Sequence, residues 1–403
     1  MDVKLNKKLI RNFLTMRFNP EDVPSLQLAK PIDLITKTSD QQGHKTEKLL
    51  MNSILKKKTE SNTYVVSLSS GIDSTLCLAL LRKTFPDSNI WGICAVFQNA
   101  FDESKRAEKI AKRFDAYFKV LPIKSIFQHM PQLIAISGKP RWNTYQHYIA
   151  KEARKYSNVL IVGDGADELF GGYTFRYNKF LTLNRAKDNW RTKTINYLEC
   201  HNRDWVPDQE HMFGRSIKFS WDDTYEYFRK YFSNRLEPLK QLMLADYNGK
   251  LIFDFIPTTK SILEHYKLKD GTVFLDHDVI KFSHHLPLQE KYDQKNGKGK
   301  LVLREIAKRL KIDHLNEKRG FSPDLFYDWQ KNGKRLYEKY LIQKDSVIFT
   351  KKIINNNWVI RSFEKIENDG DIRYLNRIIS ILALEIWLRI FITKEMKPTK
   401  QLI

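Results

Sequence analysis

Between about residues 64 and 165, short apolar runs alternate with stretches of helical spacing. Residues 64–68 (Tyr-Val-Val-Ser-Leu) form a compact β-branched run and predict a strand, followed by a turn and a helix over 75–85. The same reading gives a second strand at 90–96, a helix at 104–114 and a third strand at 116–121. A helix at 145–155 and a fourth strand at 159–162 complete the series. Strands separated by helices of this length argue for an α/β fold, a doubly wound parallel sheet covered on both faces. Ligands in such sheets bind beyond the carboxyl ends of the strands, so chemistry is expected just after Leu68, Val96 and Val162. From about residue 175 the strand signal fades, and aromatic, Lys/Glu-rich stretches with few glycines predict a mostly helical C-terminal lobe. Residues 289–300, rich in Lys, Asn and Gly, predict a mobile loop. The expected division is an N-terminal appendage over 1–55, an α/β core over 56–180 and the helical lobe over 181–403.

Composition narrows the classes. A chain of 403 residues exceeds one ordinary domain, and 42% hydrophobic residues suffice for sizeable cores, which excludes disorder as the main state. The net charge of +22 could steer an anionic partner such as nucleic acid, but the basic residues spread along the whole chain, which favours a solvated surface. Cys77, Cys94 and Cys200 are too far apart for a zinc ribbon, a cluster or a redox pair. Lys4, Lys7 and Lys8 precede no adequate apolar core, so no secretory signal is read. Residues 378–392 are apolar but carry Glu385 and Arg389 and are too short to span a bilayer, which predicts a buried helix with an i,i+4 ion pair. A cytoplasmic protein with no membrane partner is the expectation.

Two segments carry chemistry. Ser69-Ser70-Gly71-Ile72-Asp73-Ser74 follows the first strand and opens into a helix. A helix N-terminus presents unpaired N–H groups to phosphate, Gly71 permits close approach, and the serine hydroxyls add donors. Asp73 beside a phosphate requires a cation between them, most simply Mg²⁺. No Gly-Lys-Ser/Thr follows, so this is not a Walker loop. Alone, it is equally an ordinary capped helix. Residues 163–173 (Gly-Asp-Gly-Ala-Asp-Glu-Leu-Phe-Gly-Gly-Tyr) follow the fourth strand. Four glycines and three acids form neither core nor regular helix, and as a loop they could bring Asp167 to the cation at Asp73.

Together these segments resemble the synthetase domain of the asparagine synthetase family, whose members carry Ser-Gly-Gly-x-Asp-Ser and Gly-Glu-Gly-Ala-Asp-Glu-x-Phe-x-Gly-Tyr. The resemblance continues through Phe274-Leu275-Asp276-His277, Leu286-Pro287, residues 299–305 (Gly-Lys-Leu-Val-Leu-Arg-Glu), Lys318-Arg319-Gly320-Phe321 and residues 384–388 (Leu-Glu-Ile-Trp-Leu), covering roughly 60 to 393. It implies a pyrophosphate-loop fold that uses Mg-ATP to adenylate a carboxylate, which an amine then converts to an amide. Carried over by position, Ser69, Ser70, Gly71, Asp73 and Ser74 would hold pyrophosphate, and Asp73 and Asp167 would hold Mg²⁺. The backbone at Leu68, Val96 and Gly163 would frame the adenosine, Lys318 would stabilise developing charge, and Asp164 would orient the amine or take its proton. Asp254 answers to a family aspartate with a one-residue shift. Lys300 and Arg304 have the weaker claim of a Lys/Arg-rich helix that is commonly solvated.

The departures fall on the acyl side. Pro257 and residues 270–273 (Asp-Gly-Thr-Val) stand where the family carries arginines, and Gly138-Lys139-Pro140 replaces its Asp-Glu-Pro. Aspartate is therefore not the expected acid; a small-molecule or peptide carboxylate is. The chain begins Met1-Asp2-Val3 without the family's nucleophilic cysteine, and residues 9–34 faintly resemble the tail of its glutaminase domain. The amine donor is expected to be ammonia, a separate glutaminase subunit or an amine on the substrate itself. A tRNA-modifying enzyme of the wider pyrophosphate-loop class and a non-catalytic binding subunit are the alternatives.

Overall fold

The computed structural model describes residues 5–143, 145–185, 187–201, 205–312 and 323–403. Its centre is a five-stranded parallel sheet of β1 (Thr63–Ser67), β2 (Asn89–Phe97), β3 (Tyr117–Ile123), β4 (Val159–Val162) and β5 (Lys269–Thr272), in the order β3-β2-β1-β4-β5. The period-2 alternation of each strand feeds two cores. Tyr64, Val66, Ile90, Val159 and Ile161 enter one; Val65, Ile93, Ala95, Leu160 and Val162 enter the other. Strands buried on both faces read as continuous apolar runs, which is why β1, β2 and β4 stand where the sequence puts them.

Among the described residues, seven α-helices lead into or flank this sheet up to residue 170. They are α1 (Lys7–Met16), α2 (His44–Leu55), α3 (Ile72–Thr84), α4 (Ser104–Arg113), α5 (Met130–Ser137), α6 (Gln146–Ala153) and the single turn α7 (Ala166–Phe170). Helix α3 is apolar around most of its circumference and lies in the first core, where the Cys77 thiol faces the Val162 carbonyl at 3.8 Å. The N-terminal residues pack on both cores: Met16, Leu34, Leu50 and Ile54 on one, Ile10 and Leu14 on the other.

The rest is mostly helical. A π-helical stretch, Tyr247–Phe255, leads into helix Ile256–His265, and helix Ile372–Phe391 closes the second core. Within that last helix Glu385 accepts from the N–H groups of Val347 and Ile348 and from Arg389 Nε at 2.6 Å, so the expected i,i+4 pair is present and buried. Residues 289–300 form a short antiparallel hairpin, Tyr292–Asp293 against Lys298–Gly299. Among the described residues no helix is long and apolar enough to cross a membrane.

Candidate active site

The sheet order reverses between β1 and β4, and the crevice beyond the carboxyl ends of adjacent strands at such a point is where open α/β sheets bind ligands. The loops leaving both strands meet there. Gly163 makes the approach possible: a Cβ at that position would lie 2.9 Å from the Asp73 Cβ. Leu68 and Val96 sit at the ends of β1 and β2, with the Leu68 N–H donating to the Ile93 carbonyl at 2.9 Å.

The serine loop is bound up with itself. Ser69 Oγ and Ser74 Oγ are 2.8 Å apart, Ser74 Oγ accepts from the Ser69 N–H at 3.0 Å, and Ser69 Oγ accepts from the Gly71 N–H at 3.2 Å. Ser70 faces outward instead. Its N–H and hydroxyl both donate to Glu103 Oε2, at 2.8 and 2.6 Å.

Across the crevice Asp73 and Asp167 come together as the motifs predict, around a residue to which the sequence assigned little. The Lys300 ammonium lies 2.7 and 2.6 Å from the Asp73 carboxylate oxygens and 2.6 Å from Asp167 Oδ1. Lys300 is 3% exposed. Burial works against its charge, but Asp167 and Asp73 outweigh burial and hold the ammonium protonated, its pKa above the ordinary lysine range. Gly172 leaves the room for this triad, since a Cβ there would stand 1.7 Å from Asp167 Oδ1 and 2.5 Å from Lys300 Cε. Two carboxylates converging on one positive centre suit a cation, so a divalent ion fits the donor set that the ammonium now engages.

The acidic loop continues into a line of buried polar groups. Asp164 Oδ2 accepts from the Thr259 hydroxyl at 3.0 Å, and burial, with Asp270, Asp167 and Asp73 adding to it, raises its pKa. Glu168 accepts from the Tyr173 hydroxyl at 2.6 Å, and burial, reinforced by Asp167, pushes its carboxyl up to about 7. Next to Thr259, Thr258 accepts from Arg141 Nη1 at 2.7 Å, and the same nitrogen lies 2.7 Å from Asp254 Oδ1. Asp254 is 0% exposed, and its carboxylate faces Arg141. Arg141 carries no motif signal; its place just after Lys139-Pro140, where the family pattern breaks, is the one hint in the sequence. Lys318 lies outside the described residues.

Residues 45–389 match the family model for asparagine synthase. The chain is 23% identical over 372 residues to asparagine synthetase [glutamine-hydrolyzing] 1 of Bacillus subtilis, covering 82% of this chain and 56% of that protein. It is 32% identical over 157 residues to a putative glutamine-hydrolysing asparagine synthetase of Mycobacterium tuberculosis, covering 37% of this chain and 24% of the relative. An NH₃-dependent NAD⁺ synthetase of Carboxydothermus hydrogenoformans is 32% identical over 145 residues, which is 32% of this chain and 57% of the relative. The chain thus spans little more than half the length of the Bacillus relative. The ordered motifs, the two loops that meet at the sheet's switch point and the extent of the family match agree: this chain belongs to the asparagine synthase family.

Proposed function

We propose that the chain is an ATP-dependent, AMP-forming amide ligase. The observation that carries this is the convergence of Asp73 and Asp167, from the first turns of α3 and α7 just after β1 and β4, on one cationic centre at the switch point. In this reading a substrate carboxylate oxygen attacks the α-phosphorus of ATP and pyrophosphate leaves. An amine then attacks the acyl carbon, AMP leaves, and the amine's proton passes to a base.

The serine loop and the N-terminus of α3 hold pyrophosphate through Ser69, Ser70, Gly71, Asp73 and Ser74, while backbone at Leu68, Val96 and Gly163 frames the adenosine. Asp73 and Asp167 are the groups that would hold Mg²⁺, which when bound neutralises charge on the departing pyrophosphate. Lys300 keeps the two carboxylates aimed at a common point. Asp164 is the proposed base: its raised proton affinity, with Thr259 fixing one oxygen, suits it to accept the amine proton. Asp254 fixes the Arg141 guanidinium, and Lys318 supplies a further positive charge by its motif position.

Glutamine is not a donor for this chain in our reading, because Cys77, Cys94 and Cys200 are all buried, and burial pushes the Cys94 and Cys200 thiols up to about 12. The amine is free ammonia, ammonia from a separate glutaminase, or a group on the substrate. The test is pyrophosphate release from ATP and Mg²⁺ across a panel of carboxylic acids. At least one acid should elicit it, and Asp73→Asn and Asp167→Asn should each lower the rate by about 10²-fold or more with an unchanged circular dichroism spectrum. Near-wild-type turnover in either variant, or silence with every acid, would overturn the reading.

A further inference from the structure

We infer that Glu103 is an internal anion that fills the pyrophosphate loop until nucleotide arrives, and that its side chain must swing off Ser70 for the loop to bind. This rests on the reading of the serine loop as a pyrophosphate site.

The geometry is specific. Both outward donors of Ser70, the N–H and the hydroxyl, converge on the single oxygen Oε2 of Glu103. A carboxylate and a phosphate are both anionic acceptors and compete for such donors; they cannot share them at 2.6 to 2.8 Å without bringing two negative charges into contact. The same crevice shows the complementary substitution, with the Lys300 ammonium seated between the two carboxylates proposed to hold a cation. The crevice therefore neutralises its own charges, with a carboxylate on the loop's donors and an ammonium between the two paired carboxylates.

Glu103 is the N-cap residue of α4, and its carbonyl accepts from the Arg106 and Ala107 N–H groups, each at 3.0 Å, so its backbone stays with the helix while its side chain can turn. The segment between β2 and α4 leaves β2 through Asn99, whose φ of 60° is left-handed, and ends where Asp102 Oδ1 accepts from the Ser104 N–H at 2.8 Å to start α4. Asn99 is tied by a side-chain hydrogen bond to Asp324 at 3.0 Å, and Phe101, two residues further on, is 52% exposed. A rotamer change about the Glu103 side-chain bonds is enough to carry its carboxylate off Ser70.

A residue that merely props the loop and one that occupies it make opposite demands on affinity. Removing a prop weakens pyrophosphate binding; removing an occupant tightens it. The experiment is titration of the full-length protein with inorganic pyrophosphate and Mg²⁺ by calorimetry, comparing wild type, Glu103→Ala, Glu103→Gln and, as a control, Glu108→Ala on the exposed face of α4, with circular dichroism to verify folding. Glu103→Ala should lower the dissociation constant by about fivefold or more, Glu103→Gln should lower it less, and the control should leave it near wild type. A dissociation constant unchanged or raised in both Glu103 variants would overturn the inference while leaving the pyrophosphate site in place. No binding by any of the four proteins would overturn the site reading and the inference together. As a second readout, Phe101→Trp should report a fluorescence change on adding Mg-pyrophosphate, and that change should shrink when Glu103→Ala is added; an equal change in both backgrounds would count against displacement of Glu103.

Discussion

Lys300 sits in left-handed backbone space, with a φ of 58°, at the residue that starts helix Leu301–Arg309. That conformation costs a non-glycine residue about 1 kcal/mol or more and persists when the surroundings over-determine it. Here they do, because its N–H donates to the Phe170 carbonyl at 3.1 Å while its ammonium engages two carboxylates. Local pattern offers little reason to choose it from a Lys/Arg-rich helix, whereas Asp73 and Asp167 are marked by the motifs that follow β1 and β4. A lysine's pairing partners are set by the fold, and local pattern is silent about them. Lys300→Met should therefore leave Asp73 and Asp167 facing each other without their buried counter-charge, a loss of about 3–5 kcal/mol. Mg²⁺ would then replace the missing charge. Thermal melts should show a lowered Tm for the variant, and Mg²⁺ without nucleotide should raise it by more than it raises wild type. Equal Mg²⁺ effects on the two proteins would remove the cation role from this carboxylate pair.

Elements were legible where burial imposes a period. Strands β1, β2 and β4 carry apolar runs because both faces are covered, and α3 and α4 follow at helical spacing. The fifth strand was not legible: Lys269, Asp270, Gly271 and Thr272 lie at the sheet edge, pair along one side and carry no apolar alternation. Helix α5 was likewise unread, since eight residues with Pro131 in the first turn give little periodicity. The segment read as a mobile loop is a hairpin next to a buried lysine. Lys291, just before the hairpin, is 4% exposed; burial, with Lys240 adding to it, pushes its ammonium down to about 7. In the unfolded chain the same amine titrates near about 10.4. Between those values the unfolded state binds more protons than the folded state, so this residue makes stability rise with pH, by up to about 1.4 kcal/mol per unit, and its cost is greatest below about pH 7. Lys291→Met should remove that cost. Urea midpoints should show the variant ahead of wild type near pH 6.5, with the gap narrowing steadily towards pH 9.5. A gap that stays constant or widens with pH would show that the amine does not lose its proton on folding.

At the scale of the molecule, the site joins Asp73 to Lys300, 227 positions away, and of the three charged groups at its centre the motifs mark the two carboxylates. The acyl side is different. Where family arginines are absent, Pro257 begins a helical turn beside Thr258, and Gly271 lies in β5 so close to β4 that a Cβ would stand 2.1 Å from the Leu160 carbonyl oxygen. The two lysines that could have restored charge are engaged elsewhere. Lys139 donates to Asp22 and the Phe253 carbonyl, each at 3.0 Å, and Lys260 is largely exposed beside Glu264. The buried guanidinium that does reach this region, Arg141, directs its fork to Asp254, Thr258 and Asn143. A small diacid needs a cation free to grip its second carboxylate through parallel hydrogen bonds, and a guanidinium already satisfied on both edges cannot offer that without losing the Asp254 pair. The prediction is that L-aspartate with ammonia is a poor substrate, with kcat/KM well below the ~10⁴ M⁻¹s⁻¹ common for true substrates, and that a larger or differently charged acid exceeds it. A steady-state comparison of aspartate with a panel of acids and amines decides this. If aspartate were used efficiently, Arg141 would have to exchange Asp254 for the substrate carboxylate, and Arg141→Lys would then raise the KM for aspartate.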